Sequence, residues 1–331
     1  MTPLRLVTLV GVVAATGCGS AATPTSSPSA PAAARVGPGL VAGLTAAAAA
    51  RAPWRCASVD APPLFEETLT LGGHAWTSAG HALTRAGATP DVVTIGVIGD
   101  AGGARPATLA ALGRLRAKLD AAKVDVVLVL GGMGSTRAEI EATLGALATT
   151  APWPVIALPG DLEPAGDQTA AIADLRSHGA PVLDGRLARY VELGGATLAT
   201  LPGASAPERL GAGPDGCAYD AVDVAALTDA LSGRPGLRIL VTAEAPRELA
   251  AGEPTGEAGL VPHAPIDVLL HGAADAASPA ATGTRDGSAH PLAPGPADAT
   301  GRLPGPAHPP TAGVLAVHGG AWTWRVLADA K

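Results

Sequence analysis

Between Asp91 and Pro164 the chain passes three times from a short apolar run into a loop. DVVTIGVIGD leads into AGGARP, VDVVLVL into GGMGSTRAE, and PVIAL into PGDLEP. Runs this rich in Val, Ile and Leu read as strands buried on both faces of a parallel sheet. Segments 107–122 and 136–147 read as helices, the second opened by a Thr136–Glu139 capping box. The stretch is therefore a βαβαβ unit with crossover connections. Ligands of such sheets gather at the carboxyl ends of the strands, which gives chemical weight to Asp100, Gly102, Gly132, Ser135, Asp161, Leu162 and Glu163.

Around this unit the same pattern continues. Segments 67–71, 74–76 and 82–85, parted by Gly72-Gly73 and Ala79-Gly80, read as hairpin strands that pack against the first sheet or belong to a second one. Asp167 is placed to cap a helix reaching about His178. Gly194-Gly195 separates two strands, 189–193 and 196–201, as a two-residue hairpin turn. A loop carrying Cys217 precedes a helix over 222–231, then come strands 237–242 and 266–270, followed by AEAPRE and HGAAD. Residues 273–311 show no period and read as a long mobile loop, and the chain closes on a 313–317/321–327 hairpin. Aromatic residues make up only 2% of the 331, so Ala and small aliphatics must fill the core. The net charge of −7 without a basic cluster excludes a nucleic-acid role.

The amino terminus is an address. Arg5 followed by the apolar run Leu6–Ala15 has the form of a signal segment over 1–18, too short to span a bilayer. Ala15-Thr16-Gly17-Cys18 resembles the lipobox of bacterial lipoproteins, which implies cleavage before Cys18, its lipidation, a membrane partner through that anchor, and a cell-envelope location. An ordinary secretory signal with an incidental Cys is the other reading of the same residues. Residues 19–52 are Ala-, Pro- and Ser-rich, a tether with a candidate helix over 41–51, and the folded domain is expected over 53–331. Cys56 and Cys217 then remain as an even pair in an oxidising compartment, and a disulfide between them is expected.

In order and placement, the strand ends resemble the calcineurin-like metallophosphoesterases. That family carries a two-metal site on loops reading Asp-x-His, Gly-Asp-x-x-Asp, Gly-Asn-His-(Asp or Glu), a lone His, and Gly-His-x-His. The resemblance covers 91–327 and implies an α/β fold, a four-layer α/β/β/α sandwich with mixed sheets. Asp100 matches the first Asp, but Gly102 stands at the His. Gly132 stands at the metal-bridging Asp and Ser135 at the next acid. In Gly160-Asp161-Leu162-Glu163, Asp161 replaces Asn, Leu162 replaces His, and Glu163 keeps the acid. Ala243-Glu244 stands at the lone His, and Gly272-Ala273-Ala274-Asp275 at Gly-His-x-His. His271 adjoins Gly272, but adjacent strand residues face opposite ways, so it is not read as a ligand.

A dinuclear centre needs a bridging carboxylate and imidazoles to hold two cations around an activated hydroxide. Without them the resemblance implies a scaffold whose metal motifs are largely lost, a non-catalytic binding or structural module with no cofactor. One alternative is a divergent metal-dependent phosphoesterase in which Asp100, Asp161, Glu163, Glu244 and Asp275 converge on a hard cation, Ca or Mg. Another is an anion cradle formed by the Gly-rich loops at 99–103 and 131–135.

Overall fold

Valine or leucine at every position of Val126–Leu130 leaves no face for water, and this strand, β5, is buried along its length. It lies between β4 (Val92–Gly99) and β6 (Val155–Leu158), parallel to both, as the crossover reading requires. The intervening helices α1 (Pro106–Ala121) and α2 (Arg137–Ala148) fall within a residue of the expected bounds. A third helix, α3 (Ala165–Ser177), leads to β7 (Val182–Asp184). The computed structural model describes residues 66–87, 92–205, 210–219, 221–245, 266–272, 276–285, 289–297 and 309–329. The chain divides into Met1–Val41 and Ala42–Lys331, and every described residue lies in the second unit. Cys18, the candidate helix over 41–51 and Cys56 lie outside the described residues.

Two mixed sheets are built. One has seven strands in the order β12-β15-β14-β4-β5-β6-β7, with β12 Ala281–Thr284, β14 Thr311–His318 and β15 Ala321–Ala328. The other has eight, β1-β2-β3-β8-β9-β10-β11-β13. Its members are β1 (Glu66–Leu71), β2 (His74–Ala79), β3 (Ala82–Arg85), β8 (Tyr190–Glu192), β9 (Ala196–Leu201), β10 (Leu237–Thr242), β11 (Val268–His271) and β13 (His290–Leu292). The amino-terminal hairpins thus belong to the second sheet, where they form one edge.

Alternation along each strand sorts the side chains into layers. Val93, Ile95, Val97, Leu128, Leu315 and Trp324 from the seven-stranded sheet meet Trp76, Leu198, Ile239, Val241 and Leu270 from the eight-stranded one in a single core. On the outer face of the first sheet, Val127, Val129 and Val155 pack under Leu112, Leu115, Ile140, Leu144 and Ile172 of α1–α3. On the outer face of the second, Leu201, Leu240 and Leu269 pack against Val224, Leu227 and Leu231 of α4 (Ala221–Ser232). The fold is the four-layer α/β/β/α sandwich with mixed sheets.

Two expectations need amendment. The stretch 273–311 holds β12 and β13 as well as irregular chain; β12 is ordered against β15, with Gly283 so close to Trp322 that a Cβ there would lie 2.4 Å from its ring. Its alternation was masked by Gly and Pro. Asp167 does not cap α3, which starts at Ala165 after Pro164; its carboxylate accepts from the Arg137 N–H of α2 at 3.1 Å instead.

Candidate functional site

Strand ends from both sheets meet at one place, and small residues make the meeting tight. A Cβ on Gly131 would lie 3.3 Å from Ala243 Cβ and 3.3 Å from Gly160 Cα. A Cβ on Gly272 would lie 2.2 Å from the Leu130 carbonyl oxygen, and one on Gly99 2.8 Å from the Gly272 oxygen. The loops following β4, β5, β6, β10 and β11 are therefore brought together, as their order along the chain implies.

Gly132 is the tightest of these strand-end approaches. Its φ is +70°, and a Cβ there would stand 2.0 Å from Asp100 Oδ1, 2.6 Å from the Ala101 nitrogen and 2.8 Å from the Asp100 carbonyl carbon. Two of those atoms are backbone, so a side-chain rotation does not make room. The chain crosses itself here: the Ala101 N–H donates to Gly131 O at 3.1 Å and the Gly103 N–H to Gly132 O at 2.8 Å.

Glu163 is fully buried and turned inward. Its Oε1 accepts from the Met133 N–H at 2.6 Å and the Gly134 N–H at 3.4 Å, and its Oε2 accepts from the Gly160 N–H at 2.7 Å. The carboxylate ties the loop after β5 to the loop after β6. Burial pushes its pKa up to about 7, with the Asp161 charge adding to the rise and the Gly160 and Met133 N–H groups opposing it. The signal in the sequence was the spacing: an acid three residues past Gly160 reaches back to that N–H, as in a capping box.

Of the other carboxylates, Asp100 stays at the cluster, and Asp161 and Glu244 have surroundings of their own. Asp161 is exposed, while its carbonyl accepts from the Ala212 N–H at 3.1 Å. Leu162 packs toward Gly211, where an added Cβ would come within 2.3 Å of Leu162 Cδ2. Glu244 is buried, its Oε2 accepting from the Ser205 N–H and the Tyr219 hydroxyl, each at 3.0 Å. Neither partner carried a readable signal, since both lie in a loop without periodicity. Asp100 is half-buried against Gly132, and Asp275 lies outside the described residues. Among the described residues, no three of His, Cys, Asp and Glu gather at metal-binding range.

The Gly-rich loops point their amides inward too. The N–H groups of Ala101, Gly103, Gly131, Met133, Gly134 and Gly160 all donate to acceptors within the protein. An anion at any of these six amides would have to displace an acceptor within the protein. His271 ends β11 on the parity of Leu269, which packs toward α4, and its neighbour Leu270 faces the inter-sheet core. It thus stands on the outer face, as expected.

No family model matches the sequence, and no curated protein matches it. Solved structures do match the fold. One aligns at a TM-score of 0.50 and 11% identity, over 72% of this chain and the whole of that chain. The likeness is one of fold. A purple acid phosphatase from yellow lupin seeds aligns at 0.49 with 11% identity, covering 78% of this chain and 57% of that one. A dimetal phosphatase from Danio rerio aligns at 0.49 with 9% identity, covering 72% of this chain and 97% of that one.

Proposed function

We propose that this chain is a lipid-anchored envelope protein whose metallophosphoesterase-like scaffold works as a non-catalytic binding or structural module. The observation that carries the reading is Gly132. A two-metal phosphoesterase requires a carboxylate between its cations, and here that position is filled by the neighbouring strand's own backbone and Asp100. The surrounding residues do not fit a metal either: Gly102, Leu162 and Ala243 offer no donor side chain, and both oxygens of Glu163 face backbone N–H groups. No hydrolytic step is derived from them.

The envelope location rests on the signal segment and on Cys18. The Cys56–Cys217 bridge is supported by the complete burial of Cys217 and by the oxidised state of its sulfur.

Metal analysis of the fragment from Ser20 onward tests the proposal, together with aryl phosphate hydrolysis in Mg, Mn, Ca and Zn. Neither stoichiometric metal nor turnover is expected. Bound metal with turnover that disappears in Asp100→Ala would establish the divergent phosphoesterase instead.

A further inference from the structure

Among the described residues, the seven-stranded sheet leaves part of one edge open. β15 is paired with β14 over its full length, Thr311–Ala328 to His318–Ala321, but with β12 only from Ala321 to Trp324. Upstream of Ala281 the chain leaves the edge: Ser278 donates its N–H to Ala293 O and accepts from the Ala293 N–H through its hydroxyl, both at 2.9 Å. Pro279, which lacks an N–H, cannot continue the ladder. Among the described residues, Arg325–Ala328 have no strand on the side away from β14.

Beside this open half-edge runs a groove of about 390 Å3 between β15 and the last turn of α1. Ala121, Ala122, Leu327 and Ala328 line it together with two cations, Lys118 and Arg325. Trp322 and Trp324 face the inter-sheet core, so alternation puts Arg325 on the outer face with Lys118. Neither cation has an ion-pair partner among the described residues. The nearby Arg114 is already bound to Asp329, Nε to Oδ2 at 2.8 Å. The groove is thus positive on a chain whose net charge is −7.

We infer that the Arg325–Ala328 edge of β15 accepts an extended acidic segment of a partner protein as an added strand. Its backbone would pair with the open edge, while alternate carboxylates face Lys118 and Arg325 and the intervening apolar residues continue the sheet's inner face past Val326. A second copy of this chain fits less well, because two-fold pairing of the same edge brings two Lys118–Arg325 pairs together. A membrane of anionic lipid would satisfy the cations but leave the open amides unpaired. This inference concerns a face away from the strand-end cluster, and it stands whether or not that cluster is inert.

Fluorescence anisotropy with the full chain and a short labelled Asp–Val–Glu–Val peptide tests it. Saturable binding is expected, weakened about tenfold by the double change Lys118→Glu, Arg325→Glu and by raised salt. N-methylation of alternate amides along one edge of the peptide is expected to abolish binding while leaving its charge and the protein untouched. Equal binding of the N-methylated peptide, or of a Lys–Val–Lys–Val control, overturns the proposal. So does binding to phosphatidylglycerol vesicles in the absence of peptide binding.

Discussion

At the scale of single residues, Glu163 and Gly132 decide what the strand-end cluster is. Glu163 satisfies three backbone donors from two loops, so removing its side-chain oxygens leaves buried N–H groups without an acceptor. Glu163→Gln keeps one acceptor oxygen but sets an amide donor against a backbone donor, and a loss of about 2 kcal/mol in chemical denaturation is expected. The pH dependence has a definite sign. The folded-state pKa of about 7 lies above the ordinary 4.5, so the folded protein holds this proton more tightly than the unfolded chain. The contribution of Glu163 is present in full below pH ~4.5 and declines as pH rises through ~7. Denaturation midpoints taken between pH 4.5 and 8 should fall with pH by this component in the native protein and lose it in Glu163→Gln. Gly132→Asp would restore the bridging residue of the resembled family on paper. In this chain it meets backbone at 2.6 Å with φ at +70°, so we expect a loss of 2 kcal/mol or more, roughly, and no gain of phosphoesterase turnover.

At the scale of elements, the order of strands and helices was legible because buried strands announce themselves by composition and α2 by its cap. Thr136 Oγ1 accepts from the Glu139 N–H at 3.4 Å, and the Glu139 carboxylate accepts from the Ser135 N–H at 2.9 Å. Thr136→Ala should therefore cost about 1 kcal/mol, measured by the thermal midpoint. Illegible were the pairings that depend on chain distant in sequence. Nothing near 66–85 tells which sheet its hairpins join, because that choice is made when β3 finds β8, more than a hundred positions away. The strand β12 was hidden for a related reason: its Ala-Thr-Gly-Thr sequence has little apolar content, and its place is set by Trp322 lying over Gly283. The same device recurs in β14, where a Cβ on Gly313 would come within 1.9 Å of Trp324. Gly313→Val should push that ring out of the inter-sheet core, with a red-shifted tryptophan emission and a loss of about 3 kcal/mol. At the candidate site, the identity of each corner residue was readable from the sequence, but its direction was not. Glu163 and Glu244 stand at corners where the resembled family places ligands, and both turn to donors inside the protein.

At the scale of the whole molecule, the three cysteines connect location to stability. If the lipid anchor takes Cys18 and a bridge takes Cys56 and Cys217, the mature chain has no free thiol even when unfolded. A bridge closing so long a loop stabilises by roughly 4–5 kcal/mol in the chain-entropy account, a sizeable share of the stability of a single domain. Thiol titration of the denatured, unreduced protein from the membrane fraction should therefore find none, and should find two after reduction. One thiol before reduction would mean that Cys18 is retained without lipid. Two would mean that the bridge is absent and Cys217 is held as a buried thiol. Reduction under native conditions should lower the thermal midpoint of the native chain and leave that of Cys56→Ser unchanged, which ties any loss to this bridge alone.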